Sequence, residues 1–254
     1  SCRITMSKNY LDTADFRYQA LTTLAKDWTS PYTGILHKKG AIVEFSAITK
    51  YTSKQLISFP IPNASAMYLK LSFQLFKESQ EGLDKVEAKK KEGEEVTHVG
   101  DITDFYDLLE KRLASIIFAY TALEVFANQT IPDKYVYEKI REDDRCKETY
   151  TKEQAERWVS LDEKLSDLLP NVLSLKTPKG KRIWDKYKKL KKLRDRLIHP
   201  KSKDLHSTGK DDASIWNIIS AKNLDNPALI AKEVISYFVD GLAEKPRWFT
   251  KLPF

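Results

Sequence analysis

The sequence predicts a mainly α-helical protein, with an antiparallel helical bundle over residues 63–254 preceded by a small mixed α/β segment over residues 1–62. Three observations predict it. After Pro62, apolar residues recur at three- and four-residue spacing through one stretch after another. Those stretches open on Asn, Thr or Asp and close on Pro or Gly, which satisfy or terminate the free ends of a helix. Before Pro62 the apolar runs are short and punctuated by turn residues, as short strands are.

In chain order, Ser1 to Thr5, ahead of Met6, read as a leftover of expression. Asp15 to Asp27 suit a helix. Ile35 to His37 and Ala41 to Phe45 suit strands on either side of a Lys39-Gly40 turn, with Gln55 to Phe59 a third, and His37 reads as an exposed strand residue. Asn63 can cap a helix running through Tyr68, Leu71, Leu75 and Phe76 toward Gly82. Asp84 to Glu95 is nearly all Lys, Glu and Gly, so it reads as a helix end fraying into a solvated loop, with His98 just beyond. Thr103 or Asp104 can cap the next helix, Phe105 to Gln129. Its centre, LASIIFAYTALEVFAN, is apolar on nearly all sides, as the central helix of a bundle is, and is interrupted by Glu124.

Pro132 ends that helix, and Asp133 to Tyr150 is a charged connection with helical potential. Thr151 to Gln154 has the spacing of a capping box, opening a helix that carries Ala155, Trp158, Leu161, Leu165 and Leu168 and stops at Pro170. Lys201 to Asp212 reads as a polar loop containing His206. Asn226-Pro227 opens the last helix, Ala228 to Leu242, and the tail PRWFTKLPF packs aromatically or meets a neighbour.

Among 254 residues, 41% are hydrophobic and 31% charged, which supports a sizeable core in a soluble chain, and the formal charge of +7 favours an anionic partner. Cys2 and Cys146 form neither a disulfide framework nor a zinc pair, so a reducing, cytoplasmic setting is expected. The longest apolar run, Leu113 to Ala127, is too short to span a bilayer, and no membrane association is expected. There is no internal repeat, Gly-rich phosphate loop, H-E-x-x-H or nucleophile elbow, which removes the common nucleotide-binding, zinc-protease and α/β-hydrolase chemistries.

Chemistry concentrates in LKKLRDRLIHPKSKD, Leu190 to Asp204. Ile183, Tyr187, Leu190, Leu193 and Leu197 form one apolar stripe, and Arg194 falls inside it, while Lys181, Lys188, Lys192 and Arg196 fall on the opposite, water-facing side. A guanidinium in such a stripe costs several kcal/mol of desolvation unless a partner receives it. Glu124, the lone charge in the apolar centre LASIIFAYTALEVFAN, is the candidate counterion. Pro200 stops the helix near Ile198 and places His199 at the start of the loop. A histidine there can move protons near neutral pH, and a fixed arginine can hold a phosphate or its transition-state charge.

The order of FAYTALEVFAN, LDEKLSDLLP and a helix ending LRDRLIHPK resembles the HEPN domains over roughly Ser65 to Leu242. The family hallmark is an arginine, four to six residues, then a histidine, usually with a polar residue after the arginine. Arg194, Asp195 and His199 match it. The resemblance implies a helical bundle that pairs two-fold and a metal-independent endoribonuclease, needing no cofactor, in a toxin–antitoxin or phage-defence system with an antitoxin or defence partner. It assigns Arg194 and His199 to catalysis in a cleft shared by a homodimer, Asp195 to orienting one or the other, and Lys201 or Lys203 to the RNA backbone, with Glu124 kept as the supporting counterion that the helix pattern offers. Members modified by a nucleotidyltransferase carry a tyrosine two after the histidine. Here that position is Lys201, which leaves that route of regulation without its acceptor.

Two other readings compete. One is a non-catalytic HEPN-type interaction module, since a histidine at a helix C-terminus is favourable in its own right beside free carbonyls. The other, a basic DNA-binding bundle, lacks helix-turn-helix spacing.

Overall fold

A computed structural model describes residues 2–3, 14–19, 21–30, 34–83, 85–86, 88–90, 97–140, 147–205, 214–242 and 244–254. Within them the protein is mainly helical with small antiparallel sheets. It divides into two compact units, Ser1–Met67 with Glu244–Phe254, and Tyr68–Ala243. The boundary thus falls at Met67 rather than Pro62, and the tail belongs with the first unit.

In the first unit, β5 (Ile42–Thr52) is the organising strand. Its sequence, IVEFSAITKYT, is rich in the β-branched and aromatic residues that fit a pleated surface. β1 (Cys2–Arg3) and β2 (Leu21–Thr23) pair with its first half and β6 (Gln55–Pro60) with its second, all antiparallel. Among the described residues of Asp15 to Asp27, strand β2 therefore stands where a helix was expected. Leu21-Thr-Thr23 finds a ladder on β5, and long-range pairing overrides a weak local preference. β3 (Trp28–Thr29) and β4 (Leu36–His37) form a separate ribbon in which Trp28 and His37 are register partners with stacked rings, centroids 5.8 Å apart. The Lys39-Gly40 turn is present, with Gly40 at φ 85° and the Ala41 N–H donating to the Lys38 carbonyl at 3.0 Å. In the tail, Trp248 of the short helix Arg247–Thr250 is buried edge-on to Phe249, and Arg247 donates to the carbonyls of Ala14 and Asp15. Met6 and Cys146 lie outside the described residues.

α1 (Ala64–Leu83) opens as expected, with the Asn63 side chain accepting the Ala66 N–H at 2.8 Å. In the second unit, Ala88–Lys90 (β7) pairs with Thr97–Val99 (β8), where a frayed helix end was expected. Residues 91–96 between them lie outside the described ones. α2 (Ile102–Thr130) is the central helix, and Asp101 rather than Thr103 or Asp104 caps it, accepting the Thr103 and Asp104 N–H groups. Ile116, Ala119, Leu123 and Ala127 on α2 are fully buried. Ser72 of α1 and Ser115 of α2 each donate to the other's backbone carbonyl at 2.8 Å, an exchange that small side chains permit between close helices.

Pro132 is followed by an antiparallel strand pair where a connection with helical potential was expected, and residues 141–146 between the strands lie outside the described ones. β9 (Tyr137–Ile140) pairs with β10 (Lys147–Tyr150), and Tyr137 stands opposite Tyr150 with rings 6.2 Å apart. Cross-strand aromatic pairs of this kind stabilise a ribbon that local charge patterning does not announce.

The capping box at Thr151 forms, but its helix, α3 (Lys152–Trp158), ends at Val159. Ser160 caps a new segment: α4 (Leu161–Glu163), a π-helical turn over Lys164–Leu168, and α5 (Leu169–Leu173). Pro170 lies inside this segment instead of ending it. Proline has no N–H for the carbonyl four residues back, that of Ser166, and the Thr177 hydroxyl donates to that carbonyl at 2.7 Å instead. The wide turn accommodates the ring, and the helix ends at Ser174, in the left-handed region at φ 53°.

α6 (Arg182–Ile198), α7 (Ser202–Leu205), α8 (Ile215–Ser220) and α9 (Pro227–Val239) complete the unit. α2 packs against α6, α8 and α9. Asn226 caps α9 through the Ala228 N–H at 3.0 Å, with Pro227 at its first turn. Part of the expected Lys201 to Asp212 loop is thus α7, and His206 lies outside the described residues. No helix among the described residues is long and apolar enough to cross a membrane.

Candidate functional site

α6 carries the stripe that its spacing predicts, with Tyr187 and Leu190 fully buried and Ile183, Leu193 and Leu197 half-buried. Arg194 shares that face, its side chain 27% exposed. Three groups receive the guanidinium. It lies 4.3 Å over the Tyr120 ring, its Nη1 donates to Asp195 Oδ1 at 2.9 Å, and its Nη2 sits 3.7 Å from Glu124 Oε1. Tyr120 and Glu124 are one turn apart on α2, so a single helix face supplies both the ring and the second carboxylate.

Behind this lies a chain of ionisable groups. The Tyr120 and Tyr187 rings stack at 6.5 Å, and the Tyr187 hydroxyl donates to Asp162, which also accepts Lys188 Nζ at 2.7 Å and Lys191 Nζ at 2.9 Å. Burial pushes the Asp162 carboxyl up, but the hydrogen bonds from Lys188, Tyr187 and Lys191 together outweigh it and hold it at about 2. Burial raises both phenols, Tyr120 to about 12 with the Glu124 charge adding to it, and Tyr187 further with Asp162 accepting its proton. Glu124 is raised chiefly by burial, against the opposing pull of Arg194 and Lys164.

Lys164 opens the π-helical turn and is only 5% exposed. Its Nζ donates to Asn128 Oδ1 and to the Glu156 carbonyl, both at 2.8 Å, and burial lowers its pKa. Asn128 is one turn beyond Glu124 on α2. The charges of Lys164, Glu124, Arg194 and Asp195 therefore alternate in sign along a strip that runs from the buried Lys164 to the half-exposed Asp195.

His199 caps the C-terminus of α6 at φ −125° and ψ 74°, its N–H donating to the Asp195 carbonyl at 2.9 Å. The residue is exposed, and among the described residues its ring has no hydrogen-bond or charged partner. Arg194, Asp195 and Glu124 are thus brought together. His199 stands about 7.5 Å further along the helix axis and is linked to Asp195 through backbone alone. Lys201 is exposed, its N–H donating to Asp204 Oδ2 at 2.9 Å, and the Lys203 side chain lies outside the described ones.

Arg196 corrects an expectation. Assigned to the water-facing side, it is only 7% exposed and pairs with Asp204, which also accepts the Ile215 N–H at 2.8 Å. α7 turns back after Pro200 and places Asp204 against the last turn of α6, which a helical wheel cannot register.

Sequence reasoning missed Tyr120, Asp162 and Lys164. Tyr120 could have been found from its four-residue spacing to Glu124. Lys164 carries no such signal, because its burial depends on the π-helical turn. Comparisons of the chain with protein-family models, curated proteins and solved structures return no match.

Proposed function

We propose that the helical unit is a HEPN-type bundle acting as a metal-independent endoribonuclease, with Arg194 and His199 as its catalytic residues. The observation that carries this reading is an arginine held on three sides yet still partly open to solvent, on the same helix end as an exposed histidine. Cleavage begins when the RNA 2'-hydroxyl loses its proton and its oxygen bonds to the adjacent phosphorus. The 5'-oxygen then leaves with a proton, giving a 2',3'-cyclic phosphate and a 5'-hydroxyl. His199 moves one of these protons, and the guanidinium of Arg194 faces the charge on the phosphorane oxygens. One histidine carries one proton at a time, so a second copy of the chain supplies the other across a two-fold cleft.

The surroundings of Arg194 suit this role. Its Nη2 is too far from Glu124 for a hydrogen bond, so an N–H remains to offer a phosphate oxygen. Glu124, its pKa raised by burial, gives up charge more readily than an ordinary carboxylate when a phosphate approaches. Asp195 fixes the guanidinium plane, and Lys201 and Lys203 lie just past the helix end for the RNA backbone. The reading carries with it a cytoplasmic toxin–antitoxin or phage-defence setting with its own partner protein.

The second reading, a non-catalytic interaction module, is favoured by one feature: Arg194 is already compensated by two carboxylates in the free chain. The experiment that separates them incubates wild type and His199→Ala with a mixed RNA pool in EDTA and analyses the new ends. Cleavage by wild type alone, leaving cyclic-phosphate ends, is expected. Equal cleavage by both proteins, or none by either while both remain folded, removes the nuclease reading.

A further inference from the structure

Among the described residues Lys164 is the one buried lysine, and the ribonuclease reading gives it no role. It opens the π-helical turn over Lys164–Leu168, a kind of irregularity that recurs at functional positions in helices. Its Nζ donates to Asn128 Oδ1 and to the Glu156 carbonyl near the end of α3, both at 2.8 Å. Both acceptors are neutral, and the N–H groups of a side-chain amide could serve them. Burying an ammonium is far more costly than burying an amide, so the charge itself calls for an anion close by.

Glu124 is that anion. On α2, Tyr120, Glu124 and Asn128 follow one another at four-residue steps and so lie in a row on one face. Arg194 lies over the Tyr120 end of the row, and Lys164 is bonded to the Asn128 end. Glu124 stands between the two cations, 3.7 Å from Arg194 Nη2, and among the described residues its carboxylate accepts no hydrogen bond. The groups facing it are Arg194 and Asp195 from α6, Tyr120 from its own helix and Lys164 from the π-helical turn. Lys164 in turn faces Glu124 and Glu156. Burial and Asp195 favour a proton on Glu124, and Arg194 and Lys164 oppose it. With Glu124 neutral, Asp195 alone would hold the guanidinium, and no charge on α2 would draw it over the Tyr120 ring.

We propose that Lys164 is a positioning residue of the arginine site: it holds the negative charge on Glu124, and through that charge it keeps the Arg194 guanidinium drawn toward α2. Lys164 itself is too deeply buried to meet a substrate, so it acts only through Glu124.

NMR titrations of the full chain that follow the Glu124 side-chain carboxyl, the Lys164 Cε and the Arg194 Nε test this. Lys164→Met is expected to raise the midpoint of Glu124 by about half a pH unit or more, because removing a cation disfavours the carboxylate. Lys164→Arg, which keeps the charge, is expected to restore the wild-type midpoint, which a purely structural role would not require. Glu124→Gln, a nearly isosteric change at a half-exposed position, is expected to lower the Lys164 midpoint. That measurement reads the same coupling from the other side and does not depend on Lys164→Met folding. The Arg194 resonance is expected to shift with the Glu124 midpoint in wild type and in Lys164→Met alike. A Glu124 midpoint unmoved by Lys164→Met, a Lys164 midpoint unmoved by Glu124→Gln, or an Arg194 resonance that ignores Glu124 overturns the proposal. Its consequence for catalysis rests on the ribonuclease reading: the inflection that Glu124 gives the pH profile of RNA cleavage is expected to move in Lys164→Met by the same amount. A wild type that cleaves no RNA counts against that reading alone, since the titrations need no substrate.

Discussion

Arg194 illustrates how one residue's position in a helical stripe dictates its surroundings. A guanidinium placed among Tyr187, Leu190 and Leu197 leaves bulk water, and the Tyr120 ring, Asp195 and Glu124 replace what it gives up. Asp162 solves the same problem in reverse, as a half-buried carboxylate held ionised by two lysines and a phenol. Its folded-state pKa is depressed, so its contribution to stability is present above the unfolded value near 4 and disappears as pH falls to about 2. Asp162→Asn is therefore expected to cost about 2 kcal/mol at neutral pH, with the gap to wild type closing between pH 4 and pH 2. Thermal melts of both proteins across that range check it, and a gap that stays constant contradicts it.

At the scale of elements, helix ends govern much of the second unit. Thr177 serves the carbonyl left free by Pro170, and Asp101, Thr151, Ser160 and Asn226 cap N-termini. Arg112 of α2 does the equivalent at a C-terminus. Only 1% exposed, it donates to the carbonyls of Ile219 and Ala221 at the end of α8 and to Gln80 Oε1 at 3.0 Å, with its guanidinium over the Phe76 ring. Burial lowers its pKa, but a guanidinium remains charged at any ordinary pH, so the carbonyls must solvate it. Arg112→Ala is expected to cost about 3 kcal/mol in chemical denaturation. Hydrogen exchange should show the amides of α8 losing protection first, and a uniform loss across the unit would mean that Arg112 is not what holds α8.

For the whole molecule, the ribonuclease reading requires two copies, because each chain supplies one His199. The expected consequence is a concentration dependence: RNA cleavage per chain falls on dilution through the range where light scattering shows the dimer dissociating. Cleavage per chain that stays constant while the mass falls to that of a monomer would place both proton transfers within one chain.

By itself the sequence determined what short-range physics controls. The Asn63 and Asn226 caps, the Thr151 capping box, the stop at Pro200 and the placement of Arg194 on an inward-facing stripe depend on neighbours within one or two turns. The tertiary structure decided what depends on distant partners. β2 forms because β5 offers a ladder, and the β9–β10 pair because Tyr137 meets Tyr150. Pro170 continues a helix because the Thr177 hydroxyl donates to the carbonyl it leaves free, and Arg196 is buried because α7 folds Asp204 onto it. Local patterns register periodicity and free helix ends, whereas these four outcomes turn on contacts made only after the chain has folded back on itself.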